Sequence, residues 1–381
     1  MTSSTRLYFL DNIRWLMIAL VVMVHAAVTY SNLGDWYYRE PVELDPLSFL
    51  FFGIFLSFTQ AYFMGLLFLI AGYFVPDSYD RKGPARFLRD RAVRLGIPTL
   101  IYMLFINPAI EYYLLAFQWP IPRPPLGQAF MDYVLSGAIL SGSGPMWFAL
   151  ALLIFSAAYA AYRLLTGSRM SPKPEAALPG HLHVAGLILL IAAGAFAIRL
   201  FQPIGTDVLN MQLCYFSSYI ALFLVGIQAR QNNWLLRIPA SFALSWFKAA
   251  LVVGGAFWLA VMILGGIASG DLSPIWGGLR WQSAAYALWE AFFAVGMCLG
   301  IIAISREHFD FRRRLTGLLA DNSFSVYLFH PPILISVSLA LRNLAWHPLA
   351  KFALCSLLAV PLCFLAGQFI FRQIPLLKRV L

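Results

Sequence analysis

Long apolar segments alternate with short polar ones along the whole chain, and ten of them are long enough to cross a bilayer. A helix needs about 20 mostly apolar residues to span a hydrocarbon core of about 30 Å. The segment near 184–201 is short, and the one near 48–76 is long enough to tilt or bend. The pattern predicts an all-α, polytopic membrane bundle of ten helices, formed as a single domain over residues 1–381. The ten segments lie at roughly 13–30, 48–76, 92–117, 146–166, 184–201, 208–228, 246–268, 283–305, 323–342 and 349–372.

Composition and charge placement agree with a membrane protein. Hydrophobic residues make up 61% of the chain and charged residues 12%, with a mean hydropathy of +0.75, whereas soluble domains are about 45–50% apolar and about 25% charged. If the N-terminus is cytoplasmic, 21 of the 27 Lys and Arg residues fall in cytoplasmic segments, as the positive-inside rule requires. We therefore attribute the net charge of +10 to membrane orientation and not to nucleic-acid binding. The expected location is the cytoplasmic (inner) membrane, with many spans and both termini cytoplasmic.

Two further features of the chain bear on this topology and on metal binding. Residues 1–27 imitate a signal peptide, with a charged start, an apolar core and the sequence "HAA". Cleavage there would leave nine spans and remove Arg14 and His25. The four cysteines lie in apolar runs without zinc-type spacing, where a free Cys acts as a small hydrophobe. No metal is expected.

The stretch "RWLMIALVVMVH" places an arginine and a histidine on one face of the first helix. Arg14 and His25 are eleven residues apart, which at about 100° per residue is three turns plus roughly 20°. They lie about 16 Å apart along the axis at 1.5 Å per residue. Ionisable groups inside a bilayer face protein or water and mark candidate functional sites. The alternative for His25 is a neutral histidine bonded to a neighbouring helix.

Glu290 is a second candidate, on the eighth predicted helix. Its estimated depth in the bilayer matches that of His25, and Gln282, Tyr286 and Glu290 form a polar stripe at i, i+4 and i+8. Depth matching makes Glu290 a candidate catalytic partner that orients His25 or stabilises its imidazolium form, as a triad carboxylate does. A protonated or hydrogen-bonded structural glutamate is the alternative.

Four polar side chains are candidates for a substrate or structural site: Tyr286, Tyr327, His330 and Glu111. His330 shares a helix face with Tyr327 in "NSFSVYLFHPP", and the two prolines that follow disrupt backbone hydrogen bonding. Glu111 follows a proline near the outer end of the third helix, where it is either functional or interfacial. A distorted helix with a satisfied histidine is the alternative for His330.

Arginines crowd the predicted cytoplasmic start of the third helix, in "RFLRDRAVRLGIP". Positive-inside anchoring suffices for the earlier arginines, but Arg91 and Arg94 are i, i+3 neighbours, and Arg94 is followed at once by an apolar run. Guanidinium groups bind phosphate with two hydrogen bonds at once, and Arg14 could complete the cluster. The arrangement suits a phosphorylated donor with a long arm, such as coenzyme A carrying an acyl thioester, whose reactive end would reach His25.

Five segments in order resemble the membrane acyltransferase-3 family of bacterial O-acyltransferases, which includes glycan O-acetyl- and O-succinyltransferases. They are "RLYFLDNIRWLMIALVVMVH", "FMGLLFLIAGYFVP", "RFLRDRAVRLGIP", "MWFALALL" and "NSFSVYLFHPPIL". The first resembles the family's Arg-x10-His helix, and the third carries its Arg-x-x-Arg element. The chain departs from the family at Gly144 and Pro145, because a histidine often precedes the Trp-Phe element in the family. Since the chain stops after the tenth helix, it resembles the stand-alone members.

The resemblance implies a reaction and its participants. The donor would be a cytoplasmic acyl-CoA, either acetyl-CoA or succinyl-CoA, and the acceptor a hydroxyl of an extracytoplasmic glycan. Arg14, Arg91 and Arg94 would handle the donor, and His25 would be the catalytic residue.

Two other functions remain open at this stage. Intramembrane His, Glu and Arg also line proton-coupled pathways, so a transporter of a small anionic solute is one alternative. A non-catalytic subunit that flips or scaffolds lipid-linked glycans is another. Consumption of a thioester by the purified protein separates the enzyme from both.

Overall fold

The computed structural model describes residues 6–167, 176–266 and 270–375. Within these ranges the chain forms helices and connecting turns without a β-sheet. Four of the cations assigned to the cytoplasmic side, Arg169, Lys173, Lys378 and Arg379, lie outside the described residues.

Ten helices are long and apolar enough to span a membrane, which confirms the predicted fold class. We label them α1 to α10 in chain order. They are α1 Tyr8–Ser31, α2 Pro46–Lys82, α3 Pro84–Leu114, α4 Gly144–Thr166, α5 His181–Arg199, α6 Leu213–Gln231, α7 Ala240–Gly265, α8 Trp281–His308, α9 Arg314–Leu341 and α10 Pro348–Gln373.

Several helices extend past the apolar segments from which they were predicted. The helix α9 begins at Arg314 rather than near residue 323, because helical hydrogen bonding is already established before the apolar run starts. At the start of α2, Asp45 caps the helix by accepting the N–H groups of Leu47 and Ser48 at 2.9 and 3.1 Å. Hydrogen bonds from Ser48 lower the pKa of Asp45 to about 2, so the cap remains a carboxylate.

Close helix packing places α1 and α8 at the centre of the bundle, since they are the most buried spans, while α5 and α7 are the least buried. The helices α2 and α6 approach closely at two glycines. A Cβ atom on Gly72 would lie 2.1 Å from the Phe223 carbonyl oxygen, and one on Gly226 would lie 2.1 Å from the Leu69 carbonyl oxygen. Small residues of this kind allow membrane helices to pack backbone to backbone.

The third span is not a regular α-helix, and its irregular turns carry candidate site residues. Three π-helical turns interrupt it at Ala92–Gly96, Tyr102–Ile106 and Ile110–Leu114. Pro98 and Pro108 follow the first two turns, and a proline donates no backbone N–H to the preceding turn. Such π turns are frequent at functional sites. Arg94 lies in the first turn and Glu111 in the third.

Candidate functional site

The structure brings the three predicted donor-binding arginines together at one end of the bundle. Arg91 lies within electrostatic range of both Arg14 and Arg94. The Arg14 side chain donates to the Asp11 carboxylate at 3.1 Å and lies over the Phe74 ring at 4.8 Å. We call Arg14, Arg91 and Arg94 the basic mouth.

Charge is poorly compensated in the basic mouth. Asp11 also binds Arg6 at 2.8 Å, so it does not serve Arg14 alone. Within the described residues neither Arg91 nor Arg94 forms an ion pair, and the Arg91 guanidinium lies over the Phe87 ring at 5.3 Å. Arginines gathered this way keep donor groups available for an anion, and phosphate oxygens match their geometry.

His25 lies further along α1 in a cluster of three nearly parallel rings. Its ring lies 3.7 Å from that of Trp36 and 5.4 Å from that of His330, with interplanar angles of 16° and 14°. Trp36 and His330 are 5.9 Å apart at 8°. We call His25, Trp36 and His330 the ring cluster. It joins α1, the segment after α1 and α9, so two of the predicted site residues meet here.

Hydrogen bonds from residues before and after Trp36 fix the segment between α1 and α2. The Glu40 backbone N–H donates to the Thr29 carbonyl at 2.8 Å, and the Asn32 side chain donates to the Glu40 carbonyl at 2.9 Å. The Glu40 carboxylate also pairs with Lys351 on α10, which is buried. These bonds hold the Trp36 indole against His25.

Pro331 fixes the protonation pattern of His330. A proline has no N–H, so the carbonyl four residues earlier in the helix, that of Tyr327, is left without its usual donor. His330 Nδ1 lies 2.9 Å from this carbonyl oxygen. Because a carbonyl only accepts, Nδ1 carries the proton and donates it. The other nitrogen, Nε2, is therefore unprotonated and carries a lone pair that can accept a hydrogen bond.

Several polar atoms of this region are buried without a hydrogen-bond partner among the described residues. They are His25 Nδ1, Trp36 Nε1 and His330 Nε2. The Tyr327 ring lies 6.4 Å from that of His330. Buried polar groups are normally satisfied, so these atoms make the ring cluster a candidate site for a polar ligand.

Glu290 and Tyr286 lie in a different cluster, around Arg199. The Glu290 carboxylate accepts from Arg199 Nη2 at 2.6 Å, and both side chains are buried. The Arg199 guanidinium also lies 5.6 Å from the Tyr286 ring. The described structure shows no hydrogen bond between Glu290 and His25. The carboxylate that depth matching placed beside His25 is instead paired with Arg199.

Glu111 belongs to a hydrogen-bond network next to the ring cluster. Its carboxylate accepts from Asn107 at 3.0 Å, and Asn107 also accepts a hydrogen bond from Tyr37. Burial raises the pKa of Tyr37 above its ordinary value, so its hydroxyl stays protonated. The rings of Tyr37 and Trp36 meet edge to face at 5.1 Å. Glu111 therefore contributes to the support of the Trp36 segment.

The departure from the family pattern at Gly144 has a steric reason. The residue has φ +48°, and a Cβ atom there would lie 2.4 Å from the Tyr102 ring. The Tyr102 hydroxyl lies 3.1 Å from that of Tyr37. Tyr102 thus fills the space that a side chain at position 144 would need, and it joins the same network.

Sequence reasoning missed two residues of these clusters. Trp36 belongs to "SNLGDWYYREPVELDPL", which the sequence indicates only as an acidic and aromatic loop on the outer side. Arg199 reads as one of the few cations on the outer side. Arg199 stands at the end of an apolar run, and Glu290 lies inside another predicted span. These two positions are the signal that could have indicated a buried ion pair.

Comparison with known proteins identifies the family. The family model described as "Acyltransferase domain" matches residues 7–368. Curated relatives named "Glucans biosynthesis protein C", from Salmonella paratyphi B, Salmonella dublin and Salmonella enteritidis, are each 24% identical over 384 residues, covering 98% of this chain and 94% of the relative. No solved structure matches the chain significantly. The chain therefore belongs to the acyltransferase-3 family and is a multi-pass membrane acyltransferase.

Proposed function

We propose that this protein transfers an acyl group, acetyl or succinyl, from an acyl-CoA to a hydroxyl of a glycan. The observation that carries the proposal is the position of two sites on one helix. The basic mouth gathers around Arg14, and the ring cluster gathers around His25, about 16 Å further along α1 at 1.5 Å per residue. Phosphates of coenzyme A would bind at the first site, and the long arm would bring the thioester to the second.

The sides of the membrane follow from charge placement. The segments that flank the basic mouth are rich in Lys and Arg, so we place this end of the bundle in the cytoplasm. The acyl donor would enter there, and the acceptor would approach the ring cluster from the opposite side. The printed name of the relatives, which refers to glucans, supports a glucan or a related glycan as the acceptor.

His25 would carry the acyl transfer, either as a general base or as a nucleophile. An unperturbed imidazole has a pKa of about 6.5, so a neutral ring can accept a proton or attack a carbonyl at neutral pH. Trp36 would support this chemistry, because an aromatic face stabilises a cation stacked on it. The indole at 3.7 Å would therefore favour the imidazolium that forms during the reaction.

The test is thioester consumption coupled to product formation. Purified protein in a bilayer nanodisc is given acetyl-CoA or succinyl-CoA, with and without a glucan oligosaccharide, and free thiol and acceptor mass are measured. We expect thiol release with one donor and an acylated oligosaccharide that requires His25. His308→Gln, which changes an exposed histidine, serves as the control for His25→Gln. Absence of thiol release and of acylated product with both donors would contradict the proposal and favour the anion transporter.

A further inference from the structure

We propose that His330 is the base that takes the proton of the acceptor hydroxyl, which leaves His25 to carry the acyl group as a nucleophile. This inference rests on the proposed function and resolves the role of His25 that it leaves open. It rests on the lone pair of His330 Nε2, which is buried without a partner among the described residues.

The free lone pair is a consequence of the sequence His-Pro. Pro331 removes the N–H that would bond the Tyr327 carbonyl, and His330 Nδ1–H takes its place at 2.9 Å. The Val326 carbonyl lies 3.3 Å from the same Nδ1. Two backbone carbonyls thus hold the proton on Nδ1. In a neutral imidazole, a hydrogen bond donated by one ring nitrogen fixes the proton there and leaves the other nitrogen unprotonated. Nε2 is therefore kept as an acceptor.

In the ring cluster neither neighbouring ring can serve as the partner of this lone pair. The lone pair lies in the plane of the His330 ring, and the rings of His25 and Trp36 lie nearly parallel to that plane. An in-plane lone pair cannot bond to the face of a stacked neighbour. Nε2 is nevertheless buried with no partner among the described residues. A donor that enters the cluster beside His25 would satisfy it, and a sugar hydroxyl is such a donor.

The two histidines then divide the reaction into two balanced steps. In the first, a neutral nitrogen of His25 bonds to the thioester carbonyl carbon, the carbon–sulfur bond breaks, and the thiolate takes the remaining ring proton of His25 to leave as free coenzyme A. In the second, the acceptor oxygen bonds to the acyl carbon while its proton moves to His330 Nε2. The carbon–nitrogen bond to His25 breaks, and the proton passes to the imidazolate that is left.

The decisive experiment separates these two steps. Acyl exchange between acyl-CoA and isotopically labelled coenzyme A needs only the first step, whereas oligosaccharide acylation needs both. The main variant is His330→Asn, because the Asn amide N–H₂ can still donate to the Tyr327 carbonyl while no basic nitrogen remains. We expect exchange at the parent's rate and a 10²–10⁴-fold loss of acylation, the usual contribution of a general base. His25→Gln should lose both reactions.

Controls distinguish a chemical role from damage to the helix. Ser336→Ala, at an exposed position on α9, should keep both reactions. Pro331→Ala restores a backbone N–H beside the Tyr327 carbonyl, so it should lower acylation more than exchange. Exchange that is absent from a parent enzyme able to acylate the oligosaccharide would overturn the inference while the proposed function stands. Parental acylation by His330→Asn, or equal loss of both reactions in that variant, would also overturn it.

Discussion

Two groups of arginines at the same end of the bundle differ in their partners. Arg163 is buried and donates to the Asp80 carboxylate and the Tyr159 hydroxyl, each at 2.6 Å. Arg230 pairs with Asp77 at 2.8 Å. In the basic mouth, by contrast, Arg91 lies near Arg14 and Arg94, and among the described residues the one ion pair of the three arginines is that of Arg14 with Asp11.

The difference separates cations that hold the fold from cations that can bind a ligand. In the orientation proposed above, all these arginines lie on the cytoplasmic side, so charge alone does not distinguish them. Arginines with carboxylate and hydroxyl partners have already used their directional donors within the protein. Like charges that converge without such partners repel one another, and an anion bound between them relieves this repulsion. The basic mouth is therefore the better candidate for the donor phosphates.

The largest effect on turnover is expected for His25→Gln, which should stop the chemical step without weakening donor binding. His25→Gln removes the basic nitrogen but leaves the basic mouth intact. Turnover should fall at least as far as the loss of a catalytic base produces, about 10²–10⁴-fold, because the variant has no basic nitrogen to accept the acyl group, and the Kd for coenzyme A should stay unchanged. Thiol release and equilibrium binding are measured on the same preparation. A variant that turns over at the parental rate would make His25 an ordinary structural histidine.

A smaller effect, on stability alone, is expected for the paired arginines. Arg163→Ala removes two charge-assisted hydrogen bonds, each worth about 1.5–3 kcal/mol, so the unfolding temperature should drop. Thermal unfolding followed by fluorescence measures this, with Arg314→Ala at an exposed position as the control. Coenzyme A binding by folded Arg163→Ala should stay at the parental Kd. Loss of coenzyme A binding in Arg163→Ala would contradict the distinction between the paired arginines and the basic mouth.

Trp36 is expected to have a more modest effect on turnover. A stacked aromatic face stabilises a cation by about 0.5–2 kcal/mol, which corresponds to a loss of roughly two- to thirtyfold in turnover for Trp36→Ala. Trp36→Phe keeps an aromatic face and should lose less. The two variants are compared in the thiol-release assay. Equal turnover of parent, Phe and Ala variants would show that the stack does not assist His25.

The helical bundle was predictable from the sequence because each span is identified by the apolar residues that it contains. A run of apolar residues identifies a helix such as α1 without reference to its neighbours, and the spacing of Arg14 and His25 places them on it. The Arg91–Arg94 spacing likewise reports a local helix face. The helix ends were less predictable, because caps such as Asp45 extend a helix beyond its apolar run.

The ring cluster and the Arg199–Glu290 pair depend on contacts between distant segments. Trp36 reaches His25 only because Glu40 is bonded to Thr29 and Lys351, which no local pattern reveals. Similar estimated depths in the membrane predicted that Glu290 lies beside His25. Depth, however, does not determine the direction in which a side chain faces around its helix. The packing of α8 directs Glu290 towards α5 and Arg199.

The most direct test of the account is a coenzyme A titration of the basic mouth. The Kd is measured by calorimetry for the parent, Arg91→Ala, Arg94→Ala and Arg94→Lys, with Arg230→Ala as the matched control. Loss of one charge-assisted contact, about 1.5–3 kcal/mol, should weaken binding roughly ten- to hundredfold in both alanine variants. Lysine should restore only part of it, because an ammonium lacks the planar fork, and Arg230→Ala should bind as the parent does. Parental binding by Arg91→Ala and Arg94→Ala would contradict the account, because the donor would then bind elsewhere.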